Sequence, residues 1–415
     1  VVAAFGTYFC MYAFRKPFTA AGYKDAGWWG AELKTVLVSA QVLGYMLSKF
    51  VGIRVVAELP PHRRAVGILM LILAAELALV LFGLVPAPWN AACLFLNGLP
   101  LGMVFGLVLG YLEGRRETEA LTAGLCASFI LAGGVTKDVG KWLLEDVGVT
   151  EAWMPAAAGG LFLLPLLAFT ALLSRVPPPT AADQTARAPR PPIDAATRRA
   201  LAGRYLAGLA LVVVVFTAVT ILRSIRDDFA PELFRGLGEP PKLGAFARAD
   251  LWVALGVMAV SGCGILVRDN RTAFLGSLTV CAAGCILLAV AAVGVRSGWL
   301  GAFGFMVACG LGLYIPYVTI HTTVFERLLA TTRDVGNLGF LMYLADAFGY
   351  LGYVAVLLGK RWLTEGGDAP LAEFFVTICL GGAVLSALLL AWAGWYFAHK
   401  LPRSAATPVP ESAHV

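Results

Sequence analysis

Tyr12-Ala13-Phe14-Arg15-Lys16-Pro17-Phe18 places two cations and a proline inside a segment that is otherwise apolar from Val1 to about Tyr23. At about 1.5 Å per residue that segment is long enough to cross the hydrocarbon core of a bilayer. An arginine near mid-membrane costs roughly 2.5–3.5 kcal/mol on insertion scales, so its side chain is expected to face protein or a water-filled cavity. A second arginine, Arg223, stands in a comparable apolar run in the second half of the chain. The spacing predicts a pathway built around these two charges.

The rest of the 415-residue chain fits that reading. It is 59% hydrophobic and only 14% charged, against about 25% charged in soluble domains. Apolar segments fall at 1–23, 33–53, 65–84, 89–112, 119–143, 152–174, 204–225, 246–267, 272–294, 299–325, 335–359 and 371–397. The expected fold class is therefore an all-α integral membrane protein with twelve transmembrane helices. Residues 175–203, which hold Pro177-Pro178-Pro179, Pro189, Pro191-Pro192 and several arginines, cannot supply a packed core. They read as a cytoplasmic linker between a six-helix half at 1–174 and another at 204–397, with a cytoplasmic tail at 398–415.

Loop charges alternate along the chain. One set holds Arg54, Arg63, Arg64, Arg115, Arg116, the linker arginines, Arg268, Arg271, Arg327, Arg333, Lys400 and Arg403. The other is neutral or mixed, as in Val85-Pro86-Ala87-Pro88 or around Glu145, Asp146 and Glu151. The positive-inside rule makes the first set cytoplasmic, with both termini inside and the protein in the cell inner (plasma) membrane. Orientation thus accounts for the net charge of +6 and no nucleic-acid partner is expected. Val1 opens directly on an apolar run, so a short native N-terminus is expected to precede it, and no signal-peptide cleavage site follows. The eight cysteines lie in apolar segments without a CxxC; they read as small core residues, with no metal site and no cofactor. No HExxH, P-loop, nucleophile elbow or dinucleotide fingerprint stands in a fitting context, so the chain does not read as an enzyme.

Weak internal symmetry relates the halves. The fourth segment reads Gly98-Leu-Pro-Leu-Gly102 and ends at Glu113-Gly114-Arg115-Arg116; the tenth reads Gly310-Leu-Gly312 and ends at Glu326-Arg327. Arg15 and Arg223 occupy the first helix of each half. Two pseudo-symmetric six-helix halves with a long central cytoplasmic loop make the major facilitator fold, whose site lies near the midplane between the halves.

Tyr12-x-x-Arg15-Lys16-x-Phe18 resembles the first helix of the organophosphate:phosphate antiporters, the glycerol-3-phosphate and hexose-phosphate carriers of the major facilitator superfamily. Tyr45-x-x-Ser48-Lys49-Phe50 with Gly52 is similar to their second helix. Leu222-Arg223 followed by Asp228-Phe229-Ala230-Pro231 resembles the end of their seventh, and Gly98-x-x-x-Gly102-Met103 fits the fourth loosely. The match covers about sixty residues and is fold-level elsewhere. The resemblance implies that Arg15 and Arg223 bind a phosphate group and that Lys49 supports them. The sequence departs from the family at Phe129, where the fifth helix carries a histidine, and at Val56, where the loop after the second helix carries an aspartate, with Glu58 displaced by two.

Guanidinium forks match phosphate or carboxylate oxygens with paired, charge-assisted hydrogen bonds. The alternative for each arginine is a snorkelling helix end or a local ion pair. Asp227 and Asp228 offer Arg223 such a pair, while no acid lies within a turn of Arg15. Tyr12 and Tyr45, and Tyr314 and Tyr317 around Pro316, complete the expected solute site. Asp346, mid-way along the eleventh segment, is an isolated intramembrane acid. It would balance Arg15, Arg223 or Lys49, or carry a proton. Lys137 and Asp138 read either as interfacial charges, with Lys141, or as charge-balance groups. His321 reads either as a packed ring or as a coupling group. Glu113, Arg115, Arg116, Glu326 and Arg327 read as cytoplasmic gate or orientation charges, and Arg248 with Asp250 as interfacial.

The expected function is a monomeric secondary active transporter. It would move a small anionic organic solute, organophosphate-like, across the lipid bilayer by alternating access, as an antiporter with inorganic phosphate or a symporter with protons. The alternative is a transporter-like membrane sensor that binds an anionic metabolite without moving it.

Overall fold

A computed structural model describes residues 1–23, 27–28, 31–112, 115, 118–178, 180, 195–267, 269–332, 338–363 and 368–401. Helices dominate. The first half contains α1 (Val2–Met11), α2 (Leu33–Glu58), α3 (Arg64–Leu84), α4 (Ala91–Leu109), α5 (Thr118–Glu145) and α6 (Met154–Ser174). The second contains α7 (Ala195–Asp228), the short α8 (Ala230–Gly236), α9 (Ala245–Ile265), α10 (Asn270–Arg296), α11 (Ala302–Thr319), α12 (Phe325–Thr332), α13 (Leu338–Leu363) and α14 (Asp368–Lys400). The strands β1 (Gly27–Trp28) and β2 (Ala31–Glu32) pair antiparallel ahead of α2.

Ten helical stretches among the described residues are long and apolar enough to cross a membrane. Two shorter apolar helices, Val2–Phe14 and Ala345–Gly359, fall in the first and eleventh expected segments. The chain is an integral, multi-pass membrane protein.

The first segment is not one continuous helix. α1 stops at Met11, and 3-10 turns follow at Tyr12–Phe14 and Pro17–Ala20. Pro17 has no N–H to donate back along the helix, and Arg15, two residues before it, leaves helical geometry (φ −122°, ψ −46°), which breaks the span where its cations lie. The freed carbonyls are capped from the side. Asn97 Nδ2 donates to Phe14 O at 3.0 Å and Gln41 Nε2 to Arg15 O at 3.1 Å, and the two amides bond each other at 2.8 Å. Irregular backbone survives at membrane depth only when it is satisfied in this way.

Small residues set how closely the supporting helices approach. A Cβ at Gly98 of α4 would stand 2.2 Å from Gln41 O of α2, so those two backbones touch. A Cβ at Gly134 of α5 would stand 2.4 Å from Phe246 O of α9. Glycine is what permits both approaches. The α2–α13 and α5–α9 contacts join the first six long helices to the later ones.

α7 begins at Ala195, inside the stretch expected to be linker. Residues 181–194 of that linker, tail residues 402–415, and Glu113 and Arg116 lie outside the described residues.

Candidate functional site

The break in the first span aims Arg15 between the helices. Its guanidinium carbon lies 3.9 Å from the Tyr45 ring centre and 5.7 Å from that of Tyr12. Arg223 of α7 repeats this arrangement, 4.4 Å from Tyr317 and 5.5 Å from Tyr314. Each arginine is 5% exposed, and the Nε of each has no hydrogen-bond partner among the described residues. Tyr12, beside Arg15, and Tyr314 and Tyr317, beside Arg223, flank one ring, Phe129, which connects the two arginines.

Towards the arginine-rich end of the bundle, Lys49 of α2 pairs with Asp346 of α13. Tyr45 and Tyr350 close over them, with ring centres 5.3 Å apart and Lys49 Nζ 5.3 Å and 5.4 Å from the two rings. Asp346 Oδ1 is buried without a partner. Of the partners open to Asp346 in the sequence, the structure sets it on Lys49.

Towards the opposite end lies a denser network. Asp227 accepts from Tyr314 Oη at 2.6 Å and from Arg226 at 3.1 Å, and lies 3.6 Å from Arg223; its backbone carbonyl takes Lys137 Nζ at 3.0 Å. Arg226 continues to Asp250 at 2.9 Å and to Met306 O at 3.0 Å. Lys16 pairs with Asp228, which also accepts from Tyr353 Oη at 2.9 Å. Arg223 therefore has a local acid at long range, as its sequence allowed, while its face rests on Tyr317 and its Nε has no partner among the described residues. Asp250, expected with Arg248 at the interface, is 3% exposed and balances Arg226, while Arg248 is exposed, near Phe303.

Adjacency sends Lys137 and Asp138 to different partners, because neighbouring residues diverge by about 100° around a helix. Asp138 accepts from Gly244 N at 3.0 Å and Ala247 N at 2.7 Å. It thereby caps the N-terminus of α9, whose own N-cap residue, Gly244, has no side chain to do so. Lys141 reaches Pro241 O, and Lys34 of α2 binds Glu232 of α8 at 2.6 Å.

Aromatic rings link the arginines. Phe129 stands among Tyr12, Tyr314 and Tyr317, at 6.4, 6.2 and 6.1 Å between ring centres. His321 lies in a π-helical turn, Ile320–Val324, stacked on Tyr317 at 5.4 Å and Phe216 at 5.8 Å. Its Nδ1 is buried without a partner. Three of the expected gate residues, Arg115, Glu326 and Arg327, are described, and the two arginines engage other elements. Arg115 reaches Pro177 O, Arg327 donates to Asn270 Oδ1 at 2.9 Å, and Glu326 lies half-buried at the start of α12.

Among the described residues, the buried cations Arg15, Lys16, Lys34, Lys49, Lys137, Arg223 and Arg226 stand against the buried acids Asp138, Asp227, Asp228, Glu232, Asp250 and Asp346. A buried cation left over from such pairing is costly unless an anion joins it. Sequence reasoning undervalued Lys16, Arg226 and Asp227, although they adjoin Arg15 and Arg223. It missed Lys34, Gln41 and Asn97, whose roles arise only once the first span breaks.

The family model described as "Family of unknown function (DUF5690)" matches residues 17–400. No curated protein matches. Among solved structures, a D-xylose-proton symporter aligns with a TM-score of 0.58 at 14% identity, covering 94% of this chain and 95% of its own. A POT family transporter in complex with 5-aminolevulinic acid aligns with a TM-score of 0.61 at 11% identity, with the same coverage. These alignments show a shared membrane fold of the major facilitator type.

Proposed function

We propose that this chain, which belongs to the DUF5690 family of unknown function, is a secondary transporter for a small anionic organic solute. An organophosphate is the first candidate. The observation that carries the reading is the arginine pair, in which Arg15 has no ion-pair partner among the described residues and Arg223 has only Asp227 at 3.6 Å. Two buried guanidinium groups, one on the first long segment of each half, each rest on tyrosine rings with an unsatisfied Nε. A bound phosphate or carboxylate supplies the missing acceptors and the missing negative charge.

In this reading Arg15, Arg223 and Lys49 hold the anionic head, and Tyr12, Tyr45, Tyr314 and Tyr317 line the space around it. The halves at 1–174 and 204–397 rock about that site. Lys16–Asp228, Lys34–Glu232 and Asp138 on the α9 N-terminus tie them together at the end we assign to the outside. Lys49–Asp346 ties them further towards the arginine-rich end, which we assign to the cytoplasm of a plasma-membrane protein, working as a monomer. An arriving anion competes with Asp346 for Lys49, so binding loosens one tie between the halves. That exchange gives the solute a differential effect on two conformations, which coupling requires. Inorganic phosphate or a proton is the coupling species.

The test is uptake of radiolabelled inorganic phosphate and glycerol phosphate into proteoliposomes, alongside calorimetry on the same protein. Uptake that Arg15→Lys and Arg223→Lys both abolish supports transport. Binding without uptake gives the sensor reading, and neither binding nor uptake of any phosphate or carboxylate removes the anion site.

A further inference from the structure

Glu76 lies outside the network above. It is the single charged residue inside the apolar run of α3, Ala65–Leu84. α6, which packs across it, carries no ionisable side chain from Met154 to Ser174, and α4 carries only Cys93 between Ala91 and Leu109. The 3-10 turn Tyr12–Phe14, also packed on α3, contributes Tyr12; beyond it Arg15 is turned away onto the Tyr45 ring. Among the described residues no salt bridge reaches Glu76; the residue is half-buried, and its Oε2 is buried with no hydrogen-bond partner.

The carboxyl has a shaped place. A Cβ on Gly159 of α6 would stand 2.1 Å from Glu76 Oε2 and 3.0 Å from the Phe14 ring, so the acid, the ring and the bare glycine backbone share one notch. Directly beneath, Asn97 binds both Ala75 O and Phe14 O at 3.0 Å. The acid thus packs against the back of the broken segment whose front presents Arg15.

We infer that Glu76 is a proton-binding site, neutral in the packed conformation and able to ionise only when the first-span break shifts from α3 and α6. An isolated carboxylate in an apolar, unpaired setting is far costlier than the neutral acid. Neither α4 nor α6 offers a cation, and Arg64 at the start of α3 stands about three turns away and donates to Gly110 O, so the charged form must gain water by motion of the Tyr12–Phe14 turn or of α6. Proton release and movement of the Arg15-bearing segment are then one event. The inference stands on this notch alone and does not depend on which solute, if any, occupies the arginine site.

Dicyclohexylcarbodiimide partitions into bilayers and tests this directly. The neutral carboxyl gives its proton to a carbodiimide nitrogen, its oxygen adds to the central carbon, and the O-acylisourea rearranges to a stable N-acylurea. Full-chain protein in nanodiscs is labelled across a pH series and the Glu76 peptide is read by mass spectrometry. A Glu76 adduct in acid buffer, with a yield falling about tenfold per pH unit above a midpoint, supports the site. Glu76→Gln, which mimics the neutral acid, melts like the parent in acid buffer and loses the parent's destabilisation in alkali. The inference is overturned by the absence of an adduct in acid buffer, by a pH-independent yield, or by a Glu76→Gln protein whose melting follows pH as the parent's does.

Discussion

Asp346→Asn removes the only carboxylate set against Lys49 while keeping the shape of the side chain. Lys49 is 7% exposed and Asp346 3%, so the lysine left behind is a buried charge without its partner. Breaking such a pair costs about 3–5 kcal/mol. The same change adds one positive charge to a site already rich in cations. At an effective dielectric of about 20, a unit charge about 6 Å from a bound anion contributes about 3 kcal/mol. That corresponds to an affinity gain of about a hundredfold.

The two effects have opposite signs, and the anion links them. Asp346→Asn is expected to melt well below the parent without ligand and to recover much of the loss with saturating phosphate or glycerol phosphate, because a ligand bound only to the folded state adds stability by mass action. Turnover falls, since Lys49 then holds the anion instead of returning to Asp346. Calorimetry gives the affinity, thermal unfolding in nanodiscs the stability, and proteoliposome uptake the turnover. A control replaces both partners, Lys49→Met with Asp346→Leu, and is expected to restore most of the stability without the affinity gain, because a buried pair exchanged for apolar groups is often neutral. Parent-like melting and anion affinity in Asp346→Asn would refute the reasoning and return this pair to packing.

Arg15→Lys and Arg223→Lys keep the charge and lose the fork; each is expected to weaken phosphate binding about tenfold or more in calorimetry, from about 1.5–3 kcal/mol per charge-assisted bond. The double substitution costs less than the sum, since both residues act on one ligand; strict additivity counts against a shared site. Asp138→Ala strips α9 of its cap, worth about 1 kcal/mol, and populates conformations open at that end. Spin labels at the exposed Val147 and Leu243, with exposed Cys263 replaced by serine, read this as a lengthened distance distribution; an unchanged distribution removes the clasp. The linker is expected to be cut between Thr180 and Arg198 by protease from the cytoplasmic side with the halves still associated, and cleavage only from outside reverses the orientation.

What the sequence disclosed, and what it hid, follows from the range of each interaction. Arg15 was legible because a guanidinium in an apolar run is expensive wherever the chain goes, whereas the break at Pro17 was not read from the sequence, where 1–23 stood as one span. Arg223 and Asp227 were legible together, being one helical turn apart. The pairing of Lys49 with Asp346 could be offered only as one choice of three, because the residues are 297 positions apart and only packing of α2 on α13 decides it. The partner of Asp250 was hidden for the related reason that Arg226 lies on another helix.

Other groups gain meaning only from backbone geometry. Gln41 and Asn97 are unremarked amides until the first span breaks and leaves Phe14 O and Arg15 O to be satisfied. Asp138 is one of a run of charges until Gly244, unable to cap its own helix, is brought beneath it. Glu76 hides in a hydropathy average, since one acid barely lowers the mean of a span as apolar as α3. Buried charged groups such as these add little stability over apolar packing, but in the proposed reading each answers to an ion: Lys49 exchanges Asp346 for an anion, and Glu76 takes up or releases a proton. A core of leucines would hold the halves together as firmly and would offer an arriving ion nothing to displace.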